Sequence, residues 1–153
     1  MKQNSRTAAK KPSASITASP GTRILCFTAL TRVWSMNYQE LCKAVAGLHG
    51  SIEVAMVLSD DKKIVGSHLK SGGPAPDEEE FRQMVSQIEL IVRTTKANED
   101  KFGDLGFITI RYKYIDGLFF PLNDRDTLIV GVVQPYEHDV LAGKILTLLV
   151  RKK

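Results

Sequence analysis

Cysteine is scarce in this 153-residue chain, long apolar runs are missing, and the first 35 residues carry no acidic side chain. The two cysteines, Cys26 and Cys42, form no CxxC pair, which speaks against a zinc site or a disulfide framework and fits a reduced, cytoplasmic setting. No stretch approaches the roughly 18 consecutive apolar residues of a membrane span. The acid-free leader holds Lys2, Arg6, Lys10, Lys11, Arg23 and Arg32, so the net charge of +4 resides there and the rest of the chain is mildly acidic. A phosphate-binding or nucleic-acid-binding surface therefore has no support from overall charge.

Chemistry is missing too. There is no phosphate loop of the G-x-x-x-x-G-K-S/T kind, and the proline in Ser71-Gly72-Gly73-Pro74 removes an amide donor that such a nest needs, leaving a linker. The histidines His49, His68 and His138 are scattered. Glu137-His138-Asp139 has metal-ligand residue types, but consecutive residues rarely converge on one ion, and the run reads as a solvated helix start. Cys42 falls on the apolar face of a helix and reads as a buried thiol. Asp60-Asp61 and Asp124-Arg125-Asp126 fall where turns select Asp for local hydrogen bonds. Arg111 and Lys113 alternate with Tyr112 and Tyr114, which on a strand sends bases and rings to opposite faces and makes no stacking groove. No catalytic, cofactor-binding or metal-binding residue is assigned.

What is present is a globular domain behind a basic arm. With 43% hydrophobic and 25% charged residues the chain has material for one core. Residues 1–35 are predicted to be a disordered basic extension, because Met1 to Pro20 has almost no large apolar side chain to offset ordering entropy. Ile24 to Trp34 is more apolar and faintly like a secretory signal, though Thr28, Thr31 and Arg32 interrupt it. An organellar transit peptide also matches by composition. The third reading takes Met36 as the natural start, because a helix cap follows at once.

Residues 36–153 read as a single domain. Asn37-Tyr38-Gln39-Glu40 is a capping box opening a helix with Tyr38, Leu41, Cys42, Val45 and Leu48 on one face and Gly50 past its end. Ile52 to Leu58 and Ile64 to Leu69 form a hairpin about Asp60 to Lys63. Asp77 and Glu80 start a long helix in which Phe81, Met84, Val85, Ile88, Ile91, Val92 and Thr95 recur at the helical period to about Lys101, where Phe102-Gly103 stops it. A three-stranded meander follows: Phe107 to Tyr114 alternates, Asp116-Gly117 is the hairpin turn, Leu118 to Leu122 is a short run, Asn123 to Asp126 turns, and Thr127 to Val133 is almost wholly apolar. After Pro135 a last helix runs from about Glu137, with Leu141, Ile145, Leu148 and Leu149 inward and Val140, Leu146 and Val150 widening its stripe. The fold class is α+β: a five-stranded antiparallel sheet flanked by helices, in the order αββαβββα.

That order resembles the roadblock/dynein-light-chain fold, kin of the longin and profilin-like folds. Ile52 to Leu69 is similar to its first hairpin and Gly106 to Val133 to its meander. Met36-Asn37-Tyr38-Gln39-Glu40-Leu41-Cys42-Lys43, Phe119-Phe120-Pro121-Leu122 and Lys144-Ile145-Leu146 resemble a family of small uncharacterised archaeal proteins. The resemblance covers about residues 36–150. It implies a non-enzymatic homodimeric scaffold or regulator, in some relatives for small GTPases. It also implies that the middle helix and the first meander strand meet their symmetry mates, which here nominates Gln83, Ser86, Leu90 and Ala97 on the helix, with Thr109 and Arg111 on the strand. Leu90 lies opposite Phe81 on the helical wheel, off the core stripe. The alternative is a small-molecule sensor with a pocket between sheet and long helix, for which His68, Tyr112 and Tyr114 are the polar-tipped residues, expected as half-buried packing groups.

Overall fold

A computed structural model describes residues 37–70 and 77–151. The expectations for the basic extension and for the Ser71 to Pro76 loop lie outside these residues. The elements are α1 (Tyr38–Ala46), β1 (Ile52–Leu58), β2 (Ile64–Leu69), α2 (Glu78–Lys96), α3 (Glu99–Phe102), β3 (Ile108–Arg111), β4 (Ile115–Pro121), β5 (Thr127–Val133) and α4 (His138–Arg151). The five strands form one antiparallel sheet in the order β2-β1-β5-β4-β3. This is the predicted α+β architecture, with the short α3 added.

The sheet separates two cores. On one face α1 and α4 bury Leu41, Cys42, Val45, Leu141, Ala142 and Ile145 against Ala55, Val57, Leu118, Phe120, Leu128, Val130 and Val132. On the other, α2 sets Val85, Ile88 and Val92 against Met56, Leu58, Phe119 and Ile129. Each fully buried aliphatic or aromatic side chain contributes roughly 1.5–3 kcal/mol before entropy opposes it, so these contacts dominate the stability of the domain. β5 is buried over five consecutive residues because helices cover both its faces. Ile52 joins the α1 side with Ala55 and Val57 despite its even spacing from Val54, because a register shift between Ile52 and Val54 inverts the alternation.

α1 lies close on the hairpin because Gly66 offers no side chain: a Cβ there would stand 2.7 Å from the Tyr38 carbonyl carbon. Asn37 caps α1 by accepting from the Gln39 amide at 2.9 Å, two residues on rather than three. The helix stops at Gly47, not Gly50. Asp77 occupies the N-cap position of α2 without a side-chain cap bond, and the long helix breaks at Ala97-Asn98 before α3 resumes it. Gly103, at φ 87, then ends the run, since a side chain is strained in that left-handed conformation.

The meander departs most from expectation. Asp116-Gly117 is not a turn: both residues lie inside β4, opposite Val132 and Gly131. The chain reverses instead at Lys113-Tyr114, closed by the Tyr112 amide donating to the Ile115 carbonyl at 3.0 Å. The local preference of Asp-Gly for turns is outweighed by a seven-residue ladder between β4 and β5 and by three side chains that supply the Asp116 carboxylate with partners. β3 is thereby confined to four residues. Asn123 does turn the chain, its Oδ1 accepting from the amides of Arg125 at 2.7 Å and Asp126 at 2.8 Å. In α4, Val140 and Val150 are exposed rather than part of the apolar stripe.

Candidate interaction site

β2 and β3 are the two edges of the sheet, and the fold treats them differently. At β2 the Gln39 side chain acts as a one-residue strand: its Nε2 donates to the Ser67 carbonyl at 2.7 Å and its Oε1 accepts from the Ser67 amide at 3.1 Å. At β3 the Tyr112 amide points into β4. By strand alternation Ile110 and Ile108 point there too, and Thr109 and Arg111 turn their N–H and C=O groups outward. Among the described residues no backbone partner meets Thr109 or Arg111 from that side. A sheet edge left in this state is a template for another strand.

The side chains of Thr109 and Arg111 are secured beneath the edge, on the α4 face. Thr109 Oγ1 and His138 Nε2 lie 2.9 Å apart. Arg111 reaches Asp116, its Nη2 donating to Oδ2 at 2.8 Å and its Nε to both carboxylate oxygens at 3.1 and 3.2 Å. Asp116 is fully buried and also accepts from Gln134 Nε2 at 2.7 Å and Tyr136 Oη at 2.7 Å. The Arg111 guanidinium beside it holds the Asp116 carboxyl down to about 2, against the desolvation that opposes ionisation. Burial, reinforced by the Asp116 carboxylate, pushes the Tyr136 hydroxyl up to about 12. The Asp116 carboxylate is fully partnered while the Arg111 side chain stays 60% exposed, so the cluster reads as a structural brace that aligns β3, β4 and the start of α4.

On the opposite face an apolar row leads to the same edge. The register sets Leu69, Val54, Gly131, Gly117 and Ile110 side by side across all five strands. A Cβ on Gly131 would fall 2.6 Å from Val54 Cγ1 and 3.4 Å from Ile115 Cδ1, so those two side chains meet over the glycine. Leu69, Ile115 and Val133 are 52%, 38% and 37% exposed, because a single helix cannot cover this face. One flank of α2 is drawn to the turn end of the sheet, with Lys62 reaching Glu89 and Lys96 reaching Asp124. Its other flank leaves Met84 and Ile91 40% and 36% exposed.

The six nominated interface residues are thus divided. Gln83 and Leu90 are exposed on α2, Leu90 at 65%, Ala97 is exposed at its C-cap, and Ser86 is half-buried near Lys62. Thr109 and Arg111 direct their side chains away from α2, and reach its side of the molecule only through the edge they share. Met84 and Ile91, which the helical period assigned to the core, join the exposed apolar surface; their signal was a stripe wider than one helix-on-sheet contact buries.

The sensor residues do not gather. His68 lies on one edge strand, while Tyr112 and Tyr114, 61% and 70% exposed rather than half-buried, lie at the turn of the opposite one. Lys113 and Tyr114 form the turn itself, with Lys113 Nζ 4.9 Å from the Tyr114 ring centre, so the expected strand alternation stops at Arg111. A shallow concavity of about 500 Å³ opens instead beside α4, lined by His49, Tyr136, Glu137 and Lys144 among others. Cys42 is buried, and desolvation pushes its thiol up to about 11. Among the described residues no three His, Cys, Asp or Glu side chains converge in a metal-binding group, and no helix is long and apolar enough to cross a membrane.

No protein-family model and no curated protein matches this sequence. Solved structures do. The chain is similar to a roadblock/LC7 domain from Streptomyces avermitilis, with TM-score 0.58 and 14% identity over 76% of this chain and 93% of that one. It is similar to Myxococcus xanthus MglB, with TM-score 0.59 and 8% identity over 77% and 92%. A third structure, MglB with tetrameric arrangement, aligns at TM-score 0.56 and 13% identity over 94% and 96%. The chain has the roadblock/LC7 fold.

Proposed function

We propose that this protein is a non-enzymatic interaction module that pairs with a second copy of itself and regulates or scaffolds another protein in the cytoplasm. The observation that carries this reading is a sheet edge at β3 that no described residue covers, beside apolar surface left partly exposed at Leu69, Ile115 and Val133, in a fold whose other edge is met at Ser67 by Gln39. Contiguous apolar surface of this kind marks binding sites in soluble proteins, and an uncovered strand pairs readily with its own copy. Gln83, Ser86, Leu90 and Ala97 on α2, with Thr109 and Arg111 at the edge, are the interface residues. The tetrameric arrangement of the similar MglB structure supports self-association as a habit of the fold. A small GTPase is the partner that the roadblock resemblance implies. Kinship to small archaeal proteins rests on Met36 to Lys43, Phe119 to Leu122 and Lys144 to Leu146.

Sedimentation of the full chain tests the pairing. The native protein is expected at the mass of a dimer. Thr109→Pro removes an outward amide while sparing the β3–β4 ladder, and Leu90→Arg places a charge on the outer face of α2, so both are expected to sediment as folded monomers. A native monomer overturns the reading, and dimers unchanged in both variants remove this surface from it. A thermal-shift screen of nucleotides and metabolites tests the non-sensor assignment: a compound that raises the melting temperature identifies a ligand site and overturns that part.

A further inference from the structure

We propose that the concavity beside α4 receives the free C-terminus of another protein, an apolar last residue held together with its carboxylate. The proposal rests on the scaffold reading above and deepens it by naming the part of the partner that is held.

The recess, about 500 Å³, lies where the chain leaving α1 faces the first two turns of α4. Its size is that of a site for a small group rather than for a folded surface. Pro135, the Tyr136 ring, Val140 and Leu141 form an apolar wall. Val140 is 49% exposed, an apolar side chain that the core does not take. Tyr136 brings no free hydroxyl, because its Oη already donates to Asp116 at 2.7 Å.

Three polar side chains complete the lining, and each is available. His49 Nδ1 accepts from the Ser51 amide at 3.1 Å, so the neutral ring carries its proton on Nε2 and offers it as a donor. Lys144, the one full positive charge in the lining, has no acidic partner among the described residues. Glu137 shares the recess with Lys144 without pairing to it; the two stand about 10 Å apart along the helix axis, at a rise of about 1.5 Å per residue.

A chain end answers each of these groups. Its carboxylate pairs with Lys144, and His49 Nε2 donates to an oxygen of the same end. An amide of a preceding residue donates to Glu137. Extended chain covers about 10 Å in about three residues, so carboxylate and amide match the spacing of the two charges. The last side chain then lies on Val140 and Leu141. Charge-assisted bonds to a carboxylate are the strong kind, and capture of a free C-terminus is a recurring mode of peptide recognition. A phosphate group suits the recess less well, because its second negative charge meets Glu137.

Fluorescence polarisation on the full chain tests the proposal with labelled hexapeptides ending in leucine, valine or phenylalanine, each made as free acid and as C-terminal amide. At least one free acid is expected to bind saturably, and its amide about tenfold more weakly or worse, the scale of a lost charge-assisted bond. Lys144→Met keeps the stem and drops the charge, so it is expected to lose about tenfold in affinity at an unchanged melting temperature, while Lys144→Arg retains binding. Equal binding of acid and amide, or of Lys144→Met and the native chain, overturns the proposal, as does the absence of saturable binding by every free acid. Free leucine that displaces the peptide at equal concentration makes the recess a metabolite site and overturns the partner. Sedimentation separates this from the pairing proposed above: a native monomer that binds the peptide overturns the pairing alone, and a native dimer that ignores every peptide overturns the recess alone.

Discussion

Asp116 shows how one residue can change the reading of a whole region. Beside a glycine it has the local chemistry of a turn, yet it is the one fully buried charged side chain among the described residues. Its carboxyl is held at about 2 by Arg111, well below the unfolded value of about 4. A carboxyl lowered by folding adds stability that is complete above the unfolded value and fades as the pH falls toward about 2. Asp116→Asn is therefore expected to lose about 2 kcal/mol at neutral pH, the scale of charge-assisted hydrogen bonds. The gap should close in acid, which urea unfolding at about pH 7 and about pH 2 checks. Tyr136→Phe removes one of the carboxylate's donors and is expected to cost about 1.5 kcal/mol in the same assay at neutral pH. Cys42 offers a second residue-scale expectation. Buried, and with its thiol raised to about 11, it should resist iodoacetamide in the native Cys26→Ser chain and react at once in denaturant.

At the scale of elements, α1 against β2 is the contact most dependent on a single position. The Tyr38 backbone stands where any side chain at residue 66 would go, and the same helix turn supplies Gln39 to the Ser67 edge and Tyr38 Oη to Asp126 at 2.6 Å. Gly66→Ala must displace α1, and is expected to destabilise by about 1–3 kcal/mol in urea titration. Displacement also pulls Gln39 from β2, so soluble aggregates by light scattering are an expected companion, because the second edge is then uncovered. The helices, the first hairpin and β5 were legible in the sequence because their apolar periods are long enough to outvote local preferences. The β3–β4 turn was not, because its position is set by the ladder with β5, a contact between segments that periodicity along the chain does not record.

For the whole molecule, the relation of α2 to the sheet matters most. Among the described residues one helix lies on a face that five strands make wider than it can cover, and the remainder ends at an edge with no partner strand. Each face of the sheet carries its own buried cluster drawn from residues 37–151. A chain beginning at Met36 is accordingly expected to melt within a degree or so of the full protein by calorimetry; a marked fall would give residues 1–35 a part in packing. The exposed outer surface of α2 was half legible. Leu90 could be picked out because it lies off the core stripe, but Met84 and Ile91 fit that stripe and are uncovered only because the helix meets the sheet along one line.

The amino-acid sequence by itself determined the kind and order of the main elements and the two-faced burial of β5, since periodicity, capping and residue type are properties of neighbours along the chain. Only the tertiary structure decided that Asp116 is a buried anchor rather than a turn residue, that Gln39 meets the β2 edge at Ser67 while no described residue covers β3, and that Leu69, Val54 and Ile110 form one row. Those outcomes depend on which strands lie side by side, and strand order is fixed by burial summed over the whole sheet, not by any local stretch.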